Sequence, residues 1–452
     1  MTHVHLHMPH KTTRDMTTGG ILSQMLLFSV PLLLGNIFQL LYNTVDTLVV
    51  GNFVSTQALA AVGSTSMIVS VAIFFFNGLS IGAGVVISQT YGAKDYDALH
   101  RAVETTIAMT LIISAVVTVL GAVFVHPMLR FMSTPQDVIP DAAVYLRIYF
   151  AGISGLLIYN MASGILRAVG DSTRPLYFLI LTSILNIALD LFFVLVLHMG
   201  IAGVAFATII SQFVSAVLVL ALLTRTDGVH RFVWKDLQLH PGTFRRILTI
   251  GFPTAVQQTI TSFSNVFVQS YINYFGSACM AGWSCYNKLI QFIFMPIQSM
   301  SIAATTFVSQ NVGAGKDDRA RRGTRDAVLM GAAMTVVVSF LLFLFAGPAT
   351  RLFTEDADVI ASSVRFIRVN VFFLLANCIN HVLAGALRGR GDSRGPMFLM
   401  LAFFVVLRQT YLFVLTHYIA NTEALVGLSY PVGWCTCCVA ELIYYYVRHR
   451  KK

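Results

Sequence analysis

The sequence predicts an all-α polytopic membrane protein whose twelve transmembrane helices form two parallel six-helix repeats. Three observations carry this prediction. Of 452 residues, 56% are hydrophobic and 11% charged, with a mean hydropathy of +0.74, whereas a soluble domain is about one-quarter charged. Apolar runs long enough to span a bilayer as a helix, about 20 residues, occur twelve times. The second half of the chain repeats the first at an offset of 221 or 222 residues.

In chain order the runs fall at approximately 22–49, 58–88, 101–125, 142–166, 175–198, 202–224, 246–272, 279–309, 326–347, 363–387, 396–418 and 424–447. Residues 1–20 form a polar tail, in which the alternating His3, His5, His7 and His10 read as solvated side chains rather than metal ligands. The first run is too long for a signal-peptide core and is expected to remain as a span. Runs one to six make an N-lobe (21–224), residues 225–245 a basic linker, runs seven to twelve a C-lobe (246–447), and residues 448–452 a basic tail. An even number of spans per repeat gives both copies one orientation, related by an axis along the membrane normal, which is a transporter layout. No room remains for a soluble catalytic domain. Without an H-E-x-x-H, a nucleophile elbow or a paired metal motif, no enzyme activity, metal or cofactor is expected.

The loops repeat as well. SQTYGAKDYDALHR (88–101) returns as SQNVGAGKDDRARR (309–322), and GILRAVGDSTRP (164–175) as GALRGRGDSRGP (385–396). In VGDSTRP a glycine ends one helix, Asp171 or Ser172 can cap the next, and Pro175 suits its first turn. Gly78, Gly82 and Gly84 lie inside a span without a following GK[ST], so they read as close helix packing rather than a phosphate loop. The six cysteines, at or near spans, read as small reduced filler.

The net charge of +10 does not describe a nucleic-acid surface, because the basic residues sort by loop. With a cytoplasmic N-terminus, 23 of the 30 Lys and Arg fall in the tails and even-numbered loops, and only Arg130, Arg351 and Arg365 in opposite loops. The positive-inside rule then places both termini in the cytoplasm, and the expected location is the inner (plasma) membrane.

Polar residues inside spans mark the candidate site. Asn36, Gln39, Asn43 and Asp46 form one stripe on the first helix, and Asn186 and Asp190 share a face of the fifth. Such groups are costly in lipid and should face a bundle interior or aqueous cavity. Both carboxylates fall in the outer half of the N-lobe. A desolvated carboxylic acid holds its proton more tightly, and a second carboxylate nearby strengthens this, which suits loading and unloading a proton or small cation. The repeat matches Pro31 with Pro253, Asn36 with Gln258, Gln39 with Thr261 and Asn43 with Asn265, but Asp46 with Val268 and Asp190 with Tyr411. The C-lobe thus keeps a polar stripe without the acids. It carries instead Lys288, with Gln291 one turn on, and Arg408, for which Glu441 is one candidate partner.

The repeats, the proline-started YNTVDTLVVG helix, SQTYGAKD, LRAVGDSTRP, the NIALD pair and YNKLIQFIFMPIQSM followed by SQNVGAG resemble the multidrug and toxic compound extrusion (MATE) family. The similarity covers nearly all of the chain after residue 20, in a pattern like that of the DinF-like branch. The resemblance implies a secondary active transporter that exports organic cations and other amphipathic drugs in exchange for protons or sodium ions, by rocking two lobes about a central cavity. It implies that Asp46, Asn186 and Asp190, with Asn43, hold the coupling ion. Asn36, Gln39, Gln258, Asn265, Lys288, Gln291 and Arg408 are then candidate cavity-lining residues, and Pro31 and Pro253 candidate hinges. The seventh helix, PTAVQQTITSFSN, lacks the glutamate associated with second-lobe coupling in the NorM branch. The alternatives are a flippase for lipid-linked saccharides or other anionic lipids, with Lys288 and Arg408 on the head group, and a non-transporting receptor or scaffold.

Overall fold

The computed structural model describes residues 13–450 apart from 133, so the histidines from His3 to His10 lie outside the described residues. Among these residues every regular element is helical. The first half runs α1 (Ile21–Phe53), α2 (Thr56–Gly92), α3 (Tyr96–Phe131), α4 (Ile139–Ala168), α5 (Thr173–Leu191) and α6 (Gly200–Arg225). The second runs α7 (Pro241–Asn273), α8 (Ser277–Gly313), α9 (Asp317–Leu344), α10 (Ala346–Arg351), α11 (Ala357–Asn370), α12 (Leu374–Gly389), α13 (Arg394–Leu401), α14 (Arg408–Val414), α15 (Glu423–Gly427) and α16 (Ser429–Arg450). A 3-10 turn at Val371–Phe373 joins α11 to α12, and a π-helical turn at Ala402–Leu407 joins α13 to α14. With these joined, eleven of the predicted spans lie on helices long and apolar enough to cross a membrane. The remaining one, α7, is as long as α1 at 33 residues, but amides and hydroxyls interrupt its apolar residues.

The turns show why the repeated loops keep their residues. Gly170 adopts φ +87°, and a Cβ there would meet the carbonyl oxygen of Arg14 at 2.2 Å. Asp171, fully buried, then accepts from the backbone N–H groups of Thr173 and Arg174 at 3.1 Å, capping α5. In the second repeat Gly391 has the same φ, and Asp392 accepts from the Gly395 N–H at 3.1 Å. A side-chain donor also reaches Asp392, the Tyr444 hydroxyl at 2.6 Å.

The chain packs as two compact units, each described by itself. One comprises Val30–Gly251 with the segment ending at Met16; the other comprises Thr17–Ser29 and the chain from Phe252 onward. The division therefore falls inside α1 and inside α7, in each case just before a proline, Pro31 and Pro253. In the first unit α4 packs against α2, α3 and α6. In the second, α8 packs against α9, α11 and α12, and α12 against α16. The same interhelical bond recurs in both: Ser80 Oγ donates to the Asn160 carbonyl at 3.4 Å, and Ser301 Oγ to that of His381 at 2.7 Å. All six cysteines are unpaired, and five of them are buried.

Of the three glycines singled out on α2, Gly82 serves close packing. A Cβ on Gly82 would lie 2.5 Å from the Cα of Gly251 on α7, whereas one on Gly84 would meet only the Gly164 oxygen at 4.0 Å. Gly82→Ala must push two backbones apart and is expected to cost about 1–3 kcal/mol, as overpacking does. Gly84→Ala is expected to leave stability unchanged. Thermal unfolding of the two detergent-solubilised variants checks this.

Candidate functional site

The site in the first unit is built from α1, α4, α5 and α6. Asp190 lies in the last turn of α5, just before a π-helical turn at Phe192–Val196, and is fully buried. Wide turns of this kind recur at functional sites, where they re-aim neighbouring side chains. Asn186, one turn earlier on the same face, is 3% exposed. Asp46 reaches this point from α1, half-buried, and its carboxyl group lies within hydrogen-bonding reach of that of Asp190.

The pair is not satisfied by the protein. As carboxylates, Asp46 Oδ1 and both Asp190 oxygens are buried with no donor, and Asn186 has no partner for either side-chain atom. Two facing anions at about 4 Å repel by about 4 kcal/mol at the effective dielectric of a partly buried site. A single proton between the carboxyls supplies the missing donor and removes one charge. A small cation would be met by the same oxygens together with the Asn186 carbonyl.

Three tyrosines that the sequence reading did not single out surround the acids. Tyr42 and Tyr145 lie close enough to feel the charge on Asp46, and Tyr145 also that on Asp190. Tyr145 and Tyr149 stack with ring centroids 6.1 Å apart, and Tyr149 is hydrogen-bonded to Gln212 of α6. The signal was present in YLRIY (145–149), where two tyrosines four residues apart share one face of a membrane helix.

The other candidates divide. Gln39 is exposed but hydrogen-bonded to the Tyr42 hydroxyl, Asn36 is half-buried, and Asn43 is exposed. In the second unit Gln258 is half-buried, Gln291 is exposed, and Asn265 is exposed and accepts from Tyr430 Oη at 3.4 Å. Lys288 is exposed, with its Nζ 5.5 Å from the centre of the Phe353 ring. Pro31 and Pro253 both sit within continuous helix.

One expectation is corrected. Arg408 does not pair with Glu441. Its guanidinium, only 2% exposed, donates to Ser264 Oγ at 2.6 Å and lies 4.6 Å from the centre of the Tyr430 ring. Glu441 instead feels the charge of Arg388 on α12. The reason is register: Trp434 on α16 accepts from Asn380 on α12, which sets Glu441, two turns on, level with Arg388, two turns beyond Asn380.

The sequence pattern of the MatE family matches residues 31–192 and 253–413. The chain is similar to the probable multidrug resistance protein YoeA of Bacillus subtilis, 28% identical over 449 residues, covering 97% of this chain and 96% of that protein. It is also similar to the probable multidrug resistance protein NorM of Thermotoga maritima, 26% identical over 88% of this chain and 86% of that one. An outward-facing multidrug resistance MATE family transporter of the MOP superfamily shares the fold, with a TM-score of 0.91 and 22% identity over 98% of both chains. So does a MOP superfamily transporter from Pyrococcus furiosus, with a TM-score of 0.90 and 23% identity over 97% of this chain and 98% of that one.

Proposed function

Because this chain belongs to the MatE family of multidrug efflux transporters, and is therefore a multi-pass membrane protein and not an enzyme, we propose that it is a secondary active antiporter. It exports organic cations or amphipathic drugs in exchange for protons or sodium ions. The observation that carries the reading is the buried Asp46–Asp190 pair, three of whose oxygens lack a donor. The relatives described as multidrug resistance proteins support the substrate class.

Export against a gradient needs the ion and the drug to prefer different states of the protein, because a ligand of equal affinity for both shifts nothing. The acid pair supplies such a preference for the ion. Loaded, Asp46 and Asp190 hold together; unloaded, they repel, so α1 and α5 are driven apart at this point. Pro31 lacks the N–H that would continue the α1 ladder, which gives α1 a place to bend, and Pro253 does the same for α7. The basic residues of the tails and even loops support cytoplasmic termini.

The flippase alternative draws no support from Arg408, which is held by Ser264 and Tyr430. Efflux of a fluorescent cation from proteoliposomes, with proton and sodium gradients imposed separately, tests the antiporter. One gradient is expected to drive efflux and the other not. Efflux indifferent to both, or lipid flipping without ion movement, overturns it.

A further inference from the structure

The second unit buries a cation for which coupling at the acid pair has no use. Arg408 stands near the middle of the span Arg394–Ile419 and is 2% exposed. A charge at that depth is costly unless something pairs with it. No carboxylate lies within ion-pair distance of it among the described residues. Asp46 and Asp190 can lose their charge by taking up a proton, whereas a guanidinium does not shed its own in a protein. The charge of Arg408 must be met where it stands.

The protein meets only part of it. Nη2 donates to Ser264 Oγ at 2.6 Å, and the Tyr430 ring covers the guanidinium at 4.6 Å. Ser264 Oγ has nothing more to offer, because it also accepts from Gln409 Nε2 at 2.9 Å and donates to the Phe404 carbonyl at 3.4 Å. Those contacts use both lone pairs and the single proton of a hydroxyl. Tyr430 Oη is engaged with Asn265. Arg408 Nε is left buried with no acceptor. A second donor is stranded at the same helix interface. Gln257 and Ser264 of α7 both bond to the span that carries Arg408, Gln257 through Met400 Sδ at 2.6 Å. Thr261 lies between them on the same face of α7, and its hydroxyl is buried without a partner.

The internal repeat shows that the helix pair itself does not require this cation. Arg408 matches Ile187, while Asn186 and Asp190 on α5 match Leu407 and Tyr411. The embedded charge therefore changes sign between the repeats, from two acids on α1 and α5 to an arginine without an acid between α7 and α14. A π-helical turn adjoins the charge in each, Phe192–Val196 after Asp190 and Ala402–Leu407 before Arg408, and such turns recur at functional sites.

We propose that the second unit binds a chloride-sized monovalent anion at the Nε edge of Arg408, with the Thr261 hydroxyl as second donor. Such an ion supplies both the missing acceptor and the missing countercharge. Enclosure sets its size: a guanidinium 2% exposed, held at one end by Ser264 and covered by Tyr430, admits a monatomic ion but not a lipid head group. This inference goes beyond the antiport reading and stands without it.

Binding of radioactive chloride to the detergent-solubilised full chain tests the proposal, together with thermal unfolding in sodium chloride and in sodium gluconate at equal ionic strength. The wild type is expected to bind chloride saturably and to unfold at a higher temperature in chloride, since a ligand of the folded state stabilises it. Thr261→Val is expected to weaken binding about tenfold, the order of one hydrogen bond to a charged group. Arg408→Met is expected to bind no chloride and to unfold at one temperature in both salts. Arg325→Gln, which alters an arginine with its side chain 72% exposed, is expected to respond as the wild type does. A wild type indifferent to chloride, a Thr261→Val variant that binds as the wild type does, or an Arg408→Met variant that keeps the chloride response overturns the proposal. The first two outcomes decide it even where Arg408→Met yields no folded protein.

Discussion

Asp190→Asn and Asp46→Asn are each expected to lower ion-driven efflux of a fluorescent cation by at least tenfold in proteoliposomes, at unchanged protein abundance. Asparagine keeps the shape of the side chain and removes the charge that an ion must neutralise. With one acid gone the other no longer has a facing anion, so the difference between loaded and unloaded states collapses. The double variant is expected to be no worse than either single one, because the two groups act as one site and such effects do not add. Stability should move the other way. In the absence of a driving ion, each single variant is expected to unfold at a higher temperature than the wild type, since repulsion between buried charges is removed. A purely structural pair would show the opposite, with lower thermal stability and efflux falling only with abundance.

Arg408→Ala is expected to carry the largest stability loss in the second unit. Truncation opens a cavity where a side chain is 2% exposed, a change that costs about 2–5 kcal/mol in packed cores. It also removes the donor to Ser264 Oγ and the cation over Tyr430, worth about 1.5–3 and 2 kcal/mol respectively when desolvated. Arg408→Met is the informative partner. It keeps the stem and removes a buried charge that has no carboxylate within ion-pair distance among the described residues, so it should recover most of the stability. Thermal unfolding of both variants in detergent checks the prediction, and a methionine variant as unstable as the alanine one would show that the guanidinium itself holds α7, α14 and α16 together.

Much of the architecture was legible because membrane solvent imposes a local rule. Each span must be apolar over its own length, so the runs around α1 to α6 and α8 to α16 could be counted without knowing their neighbours. The repeat was legible for a similar reason: turns such as GDS keep their residues, since a left-handed glycine and a capping aspartate are needed wherever that turn is made. Asp46 and Asp190 stood out as acids in apolar helices, an anomaly of composition that needs no partner to be seen.

Partnership was not legible in this way. Arg408 and Glu441 are both buried charges of the second half, and the sequence offered them to each other. The packing of α12 on α16 gave Glu441 to Arg388, while the approach of α7 gave Arg408 to Ser264. Tyr42, Tyr145 and Tyr149 were likewise ordinary span residues until α1 and α4 met.

By itself, then, the sequence determined the helical class, the spans, the two-fold repeat and the residues whose polarity is out of place, because hydropathy, turn chemistry and helical period are properties of short stretches of chain. Only the tertiary structure decided that Asp46 lies against Asp190, 144 residues away, and that Arg408 lies against Ser264 and Tyr430 rather than against an acid. The energy of a buried charge depends on what stands within a few ångströms of it, and that distance is set by helix rotation and register, which many sequences of the same hydropathy would leave free.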